Sequence, residues 1–249
     1  MLKNTRTLAC LLVLTASSSC ALRGDETQSE IAAALPRAED VRIDLPDNLP
    51  RAVGDPAVWY SATRSVTQTL NGGTAWVLVL VHTIVQFPVT SISGDTYTWG
   101  PWGDGLDPAQ YRLDVTALAD GSYDWALSGR SRADANSQFE VVISGNARTG
   151  EQFATGNGDF VIDFDAAERV NPAENEGVGT VAVNYDLLNR HVDMVIETVE
   201  DRGNGPEPVS AAYEYNEAAD GAGDMVFEFT GDGDDQGTQQ ENAVIRSRW

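Results

Sequence analysis

The chain is poor in the residues on which most site chemistry rests: it has two cysteines, two histidines and a single lysine in 249 residues. Both cysteines, Cys10 and Cys20, lie in the first twenty positions, so no disulfide can staple the body of the chain. With only His82 and His191, and no thiol after Cys20, a zinc or redox-metal centre is not expected. No Gly-x-Ser-x-Gly occurs; His82 sits in an apolar run and His191, in Asn189-Arg190-His191, reads as a turn residue. Gly-Lys-Ser/Thr is missing, and the Gly-x-Gly turns open strands rather than helices, which removes the nucleotide-binding patterns. Apolar runs are also short, well under the ~20 residues of a transmembrane helix. Positive charge is scarce: 16 Lys plus Arg face 38 Asp plus Glu, a formal charge of −22. Such a surface releases no counterions on meeting phosphate backbones or anionic headgroups, which excludes nucleic acid as a partner. A non-catalytic protein without a cofactor is the expectation.

What the chain does have begins at its amino terminus. Lys3 and Arg6 precede a short apolar run, Leu8 to Leu14, and a small-residue exit, Thr15-Ala16-Ser17-Ser18-Ser19-Cys20. That is the layout of a secretory signal over residues 1–19. The exit resembles a bacterial lipoprotein signal, which implies lipid attachment at Cys20; Ser17 stands where that pattern usually has Leu, and ordinary cleavage after Ser18 is the competing reading. An exported chain with one thiol at its mature end has a use for it. Ala21 rather than Asp follows the cysteine, which by resemblance to sorting rules implies the outer membrane. Without Lys3 and Arg6 the balance is 14 basic against 38 acidic residues, or −24. Repulsion of that size keeps an exported protein soluble and monomeric.

Residues 20–54 are polar and broken by Pro36, Pro46 and Pro50, and read as a tether carrying one helical turn near Ile31 to Leu35. The remainder, 55–249, has 42% apolar residues across the whole chain to draw on and reads as one domain. Asp55-Pro56 starts a helix whose Val58, Ala62, Val66 and Leu70 recur every fourth position. Ala75 to Phe87 follows as a second helix, apolar nearly all round and therefore expected to be enclosed. From Thr96 the period becomes two. Tyr97/Trp99, Tyr111/Leu113/Val115, Tyr123/Trp125/Leu127, Phe139/Val141/Ile143, Phe160/Ile162/Phe164, Val181/Val183/Tyr185, Val192/Met194/Ile196, Tyr213/Tyr215, Met225/Phe227/Phe229 and Val244 to Trp249 predict about ten strands. The expected fold class is α+β: a helical hairpin packed in a large curved antiparallel sheet, an open barrel of meandering strands.

Carboxylates are too many for their number to identify a site. Asp163 and Asp165 read as the wet side of a half-buried strand. Asp232, Asp234 and Asp235 resemble the first half of a calcium loop, but position twelve is Ala243 instead of Glu, so a solvated turn is the simpler reading. The cluster Tyr97-Thr98-Trp99-Gly100-Pro101-Trp102 reads as a structural anchor around a bend. If the space between helix and sheet holds a ligand, Trp76, Leu80, Val81, Trp125 and Phe160 are the residues expected to line it.

Trp99-Gly100-Pro101-Trp102 after two helices, the Gly156-Asn157-Gly158-Asp159-Phe160 strand and the closing Ser247-Arg248-Trp249 resemble a family of bacterial envelope lipoproteins to which no activity is attached. The resemblance covers roughly residues 55–249 and implies a membrane partner through the N-terminal lipid. By fold analogy, a sheet wrapped on a helix is similar to lipoprotein carriers and lipocalin-type binders. Two functions are expected from this: an outer-membrane lipoprotein that binds a lipid or other hydrophobic ligand, or a surface scaffold with a filled core.

Overall fold

A computed structural model describes residues 27–39, 41, 78–79, 81–103, 107–150, 155–173, 175, 177–201, 205–231 and 241–249. Among these, helix α1 covers 27–34 and helical residues 78–79 and 81–84 form α2. The strands are β1 (Ser91–Ser93), β2 (Thr96–Trp102), β3 (Ala109–Ala117), β4 (Ser122–Ser131), β5 (Glu140–Arg148) and β6 (Asn157–Asp163). After α3 (Phe164–Val170) come β7 (Thr180–Asp186), β8 (His191–Asp201), β9 (Pro206–Glu217), β10 (Gly223–Gly231) and β11 (Glu241–Arg248). All eleven strands form one antiparallel sheet in sequence order, with β1 and β11 as its edges and no closure into a barrel. Where the turns are short, as from β3 to β4 and from β7 through β10, they force adjacent antiparallel pairing, while the longer β6–β7 connection carries α3.

Period-two alternation fixes which face is covered, because directly opposed residues share a face. One row runs Val115, Trp125, Gly145, Phe160, Val183, Met194, Tyr213, Phe227, Ile245. A parallel row runs Leu113, Leu127, Ile143, Ile162, Val181, Ile196, Ala211, Phe229, Ala243. Gly145 has a packing role in the first row. A Cβ there would lie 2.1 Å from the Asp159 carbonyl oxygen and 2.8 Å from Phe160 Cβ. Its bare backbone instead lets the rings of Trp125 and Phe160, two strands apart, meet across it at 6.1 Å.

The helices lie against this inner face. Leu78, Val81, Ile84 and Val85 of the α2 segment and Ile31, Ala34, Leu35 and Val41 join one buried cluster with the strand residues. The stretch read from the sequence as a tether thus places four apolar side chains in the core. Gln28 of α1 fastens the two segments by donating to the carbonyls of Val85 at 3.2 Å and Phe87 at 2.9 Å. The expectation that Ala75 to Phe87 is enclosed on every side is corrected: Val79 is 55% exposed and Thr83 faces solvent. A helix resting on a sheet buries one stripe, and β-branched residues on the other side stay wet. The helix expected from Asp55 to Leu70 lies outside the described residues.

Two further readings are corrected. In β5, Val141 was expected to point inward with Ile143, yet it is 48% exposed while Val142 and Ile143 are buried. A register shift between Leu127 and Ser128 puts an extra residue into β5, and such a bulge reverses the facing of what precedes it. Phe139 lies near the guanidinium groups of Arg112 and Arg130, 4.8 and 4.9 Å from its ring centre. Phe164, expected in a strand with Phe160 and Ile162, begins α3. Asp163 is the helix cap, its Oδ1 accepting from the Ala166 N–H at 2.8 Å, and Asp165 accepts from the Gly179 N–H at 3.1 Å. The helix turns back over the inner face, where the side chain of Val170 packs on Gly129; a Cβ on Gly129 would come within 2.5 Å of it.

Candidate functional site

Three of the five residues expected to line a ligand space are described: Trp125 and Phe160 on the inner sheet face and Val81 on α2 against it. Val81 and Phe160 have no accessible surface and Trp125 retains 2%. The Trp125 indole N–H finds no acceptor among the described residues, a cost of about 1–3 kcal/mol for a buried donor. Trp76 and Leu80 lie outside the described residues, as do Cys20 and the calcium-loop positions Asp232, Asp234 and Asp235.

The aromatic cluster around Gly100-Pro101 serves as an anchor. Trp99 is fully buried and its indole N–H donates to the Phe87 carbonyl at 2.9 Å, tying β2 to the end of α2. Phe87 and Trp102 meet at 6.3 Å.

The outer face presents a polar row that the sequence reading did not identify. Following the pairing from β4 to β9, it runs Asp124, Asn146, Asp159, Asn184, Asp193, Glu214. At ~4.8 Å between strands, it spans roughly 24 Å. Like charges directly opposite one another destabilise a sheet. Here the amides separate the carboxylates, and Asn146 Nδ2 donates to Asp124 Oδ1 at 2.8 Å. The alternation breaks once, where Asp193 and Glu214 face each other directly.

His191 lies beside that break. It is the first residue of β8, after a turn in which Arg190 takes φ 50°, and so faces the same side as Asp193. Its Nε2 is 2.8 Å from Asp193 Oδ2 and its Nδ1 is 2.6 Å from Asn216 Oδ1. Asn216 Nδ2 donates to Glu214 Oε1 at 3.2 Å, which sets the amide with its oxygen toward the imidazole. His191, Asp193 and Glu214 each offer a ligand atom within 4.8 Å of the others. Burial pulls the imidazole pKa down, but hydrogen bonds to Asn216 and Asp193 and the charges of Asp193 and Glu214 outweigh it, leaving it above the usual value. Alongside, Arg190 pairs with Glu217, which also accepts from the Tyr215 hydroxyl at 2.7 Å. His-x-Asp in one strand and Glu-x-Asn in the next were visible in the sequence; only the register brings them together.

Comparison with known proteins gives no match to a family model, a curated protein or a solved structure.

Proposed function

We propose that this is a non-catalytic envelope lipoprotein, anchored in the outer membrane by a lipid on Cys20, that acts as a scaffold or interaction protein. The observation that carries the scaffold reading is the lack of accessible surface on Val81 and Phe160 and its near absence on Trp125. Close burial of these three side chains is what a filled core gives, and among the described residues the outer sheet face offers a polar row to a partner. The anchor rests on Lys3, Arg6, the run Leu8 to Leu14 and the small residues before Cys20. The resemblance to envelope lipoproteins belongs to the same proposal, as does the arrangement in which the helix of residues 55–70 pairs with α2 inside a curled sheet. Among the described residues no helix is long and apolar enough to cross a membrane.

The second reading is a carrier of an amphipathic ligand, and its support is the unsatisfied Trp125 N–H, which a ligand oxygen would accept from. Radiolabelled palmitate, fed to bacteria producing the full chain, tests the anchor. Label should enter the wild type and not Cys20→Ala, and the variant should leave the membrane in a carbonate wash. An unlabelled wild type, or a variant that stays with the membrane, contradicts the anchor.

A further inference from the structure

The break in the polar row brings two carboxylates and an imidazole together. At each other step from Asp124 to Asp193 an amide stands between carboxylates, while Asp193 and Glu214 are opposed directly. The side chain placed against them, His191, faces an oxygen acceptor from each ring nitrogen. Asn216 Oδ1, 2.6 Å from Nδ1, fixes the ring so that Nε2 faces the Asp193 carboxylate at 2.8 Å. An imidazole fixed by a hydrogen bond from its other nitrogen is also how metal-binding histidines are held.

We propose that His191, Asp193 and Glu214 bind one divalent cation of the zinc class on the outer sheet face, through imidazole Nε2 and one oxygen from each carboxylate. A nitrogen donor with two carboxylates favours such borderline cations over calcium or magnesium, which prefer all-oxygen shells. Donors about 2.0–2.2 Å from zinc stand somewhat over 3 Å apart. The donor atoms already lie within 4.8 Å of one another, and small side-chain rotations bring them there. These rotations are open: the His191 and Asp193 side chains are 30% and 43% exposed and Glu214 is exposed. Two positions on one strand and one on its neighbour hold the donors on a rigid element, with the remaining coordination position toward solvent. This goes beyond the scaffold reading and does not depend on the lipid anchor.

Zinc chloride titrated into the chelator-treated full chain tests it, followed by imidazole resonances in two-dimensional nitrogen–proton NMR. With two histidines in the sequence, His191→Gln assigns both signal sets. One equivalent of zinc should shift the His191 ring signals and leave those of His82 in place, and a hundredfold excess of magnesium should not displace it. Asp193→Asn and Glu214→Gln should each weaken binding at least tenfold, with the far-ultraviolet circular dichroism unchanged. His191 signals that stay put at tenfold excess of zinc overturn the proposal. So does equal zinc uptake by wild type and folded His191→Gln, which would assign it to scattered carboxylates.

Discussion

Truncating Phe160 to Ala probes the packed interior at its centre. Phe160 has no accessible surface, stands in register between Gly145 and Val183, and touches the Trp125 ring at 6.1 Å and 46°. A buried aromatic side chain removes at least ~150 Å² from water. At about 25 cal/mol per Å² that is roughly 4 kcal/mol, inside the ~3–5 kcal/mol typical of buried Phe→Ala changes. The aromatic pair adds about 0.5–1.5 kcal/mol, readable as the coupling in a cycle of Phe160→Leu with Trp125→Leu. A space beside the ring would lower these figures, since a side chain facing a void has fewer contacts to lose. Urea denaturation of the full chain, read from the shift in midpoint, supplies the numbers. A cost of about 1 kcal/mol or less in a folded Phe160→Ala variant, or no coupling to Trp125, refutes a packed interior.

Two other perturbations act on the same sheet. Gly145→Ala adds only a methyl group, yet it drives that carbon to 2.1 Å from the Asp159 carbonyl oxygen, so the midpoint should fall by the equivalent of about 1–3 kcal/mol or more; an unchanged midpoint contradicts the register of β5 on β6. Burial raises the Tyr213 hydroxyl well above its usual 10.0, with the Tyr215 charge adding to it, so the folded state keeps it neutral while the unfolded chain ionises. The stability it contributes is therefore complete below pH 10 and declines as pH rises beyond it. In alkaline denaturation Tyr213→Phe should flatten that decline, with a residual slope from Tyr123, which burial also raises; identical slopes refute the assignment.

The sheet was legible because alternation is a local property: Tyr111/Leu113/Val115 and Val192/Met194/Ile196 place their own strands without reference to the rest of the chain. Part of what escaped the sequence depended on events between strands, and part on short local signals. The bulge at β5 reversed Val141, and no residue type in Phe139 to Ile143 marks such an insertion. Asp163 looked like the wet side of a strand because it continues the alternation of β6; as a helix cap its signal was Ala166-Ala167-Glu168-Arg169 beyond it, ended by Pro172. Pro36 and the charges around it suggested a tether, while Ile31, Leu35 and Val41 had too short a stripe to announce a packed face. His191 and Glu214 are 23 positions apart, and their meeting is a consequence of register that composition does not contain.

Native mass spectrometry of the protein extracted from bacterial membranes tests the account most directly. The predicted spectrum shows a chain that begins at a lipidated Cys20 and carries no apolar molecule bound without a covalent bond. A stoichiometric lipid released on collisional activation, or a membrane-derived chain with Cys20 unmodified, would contradict it.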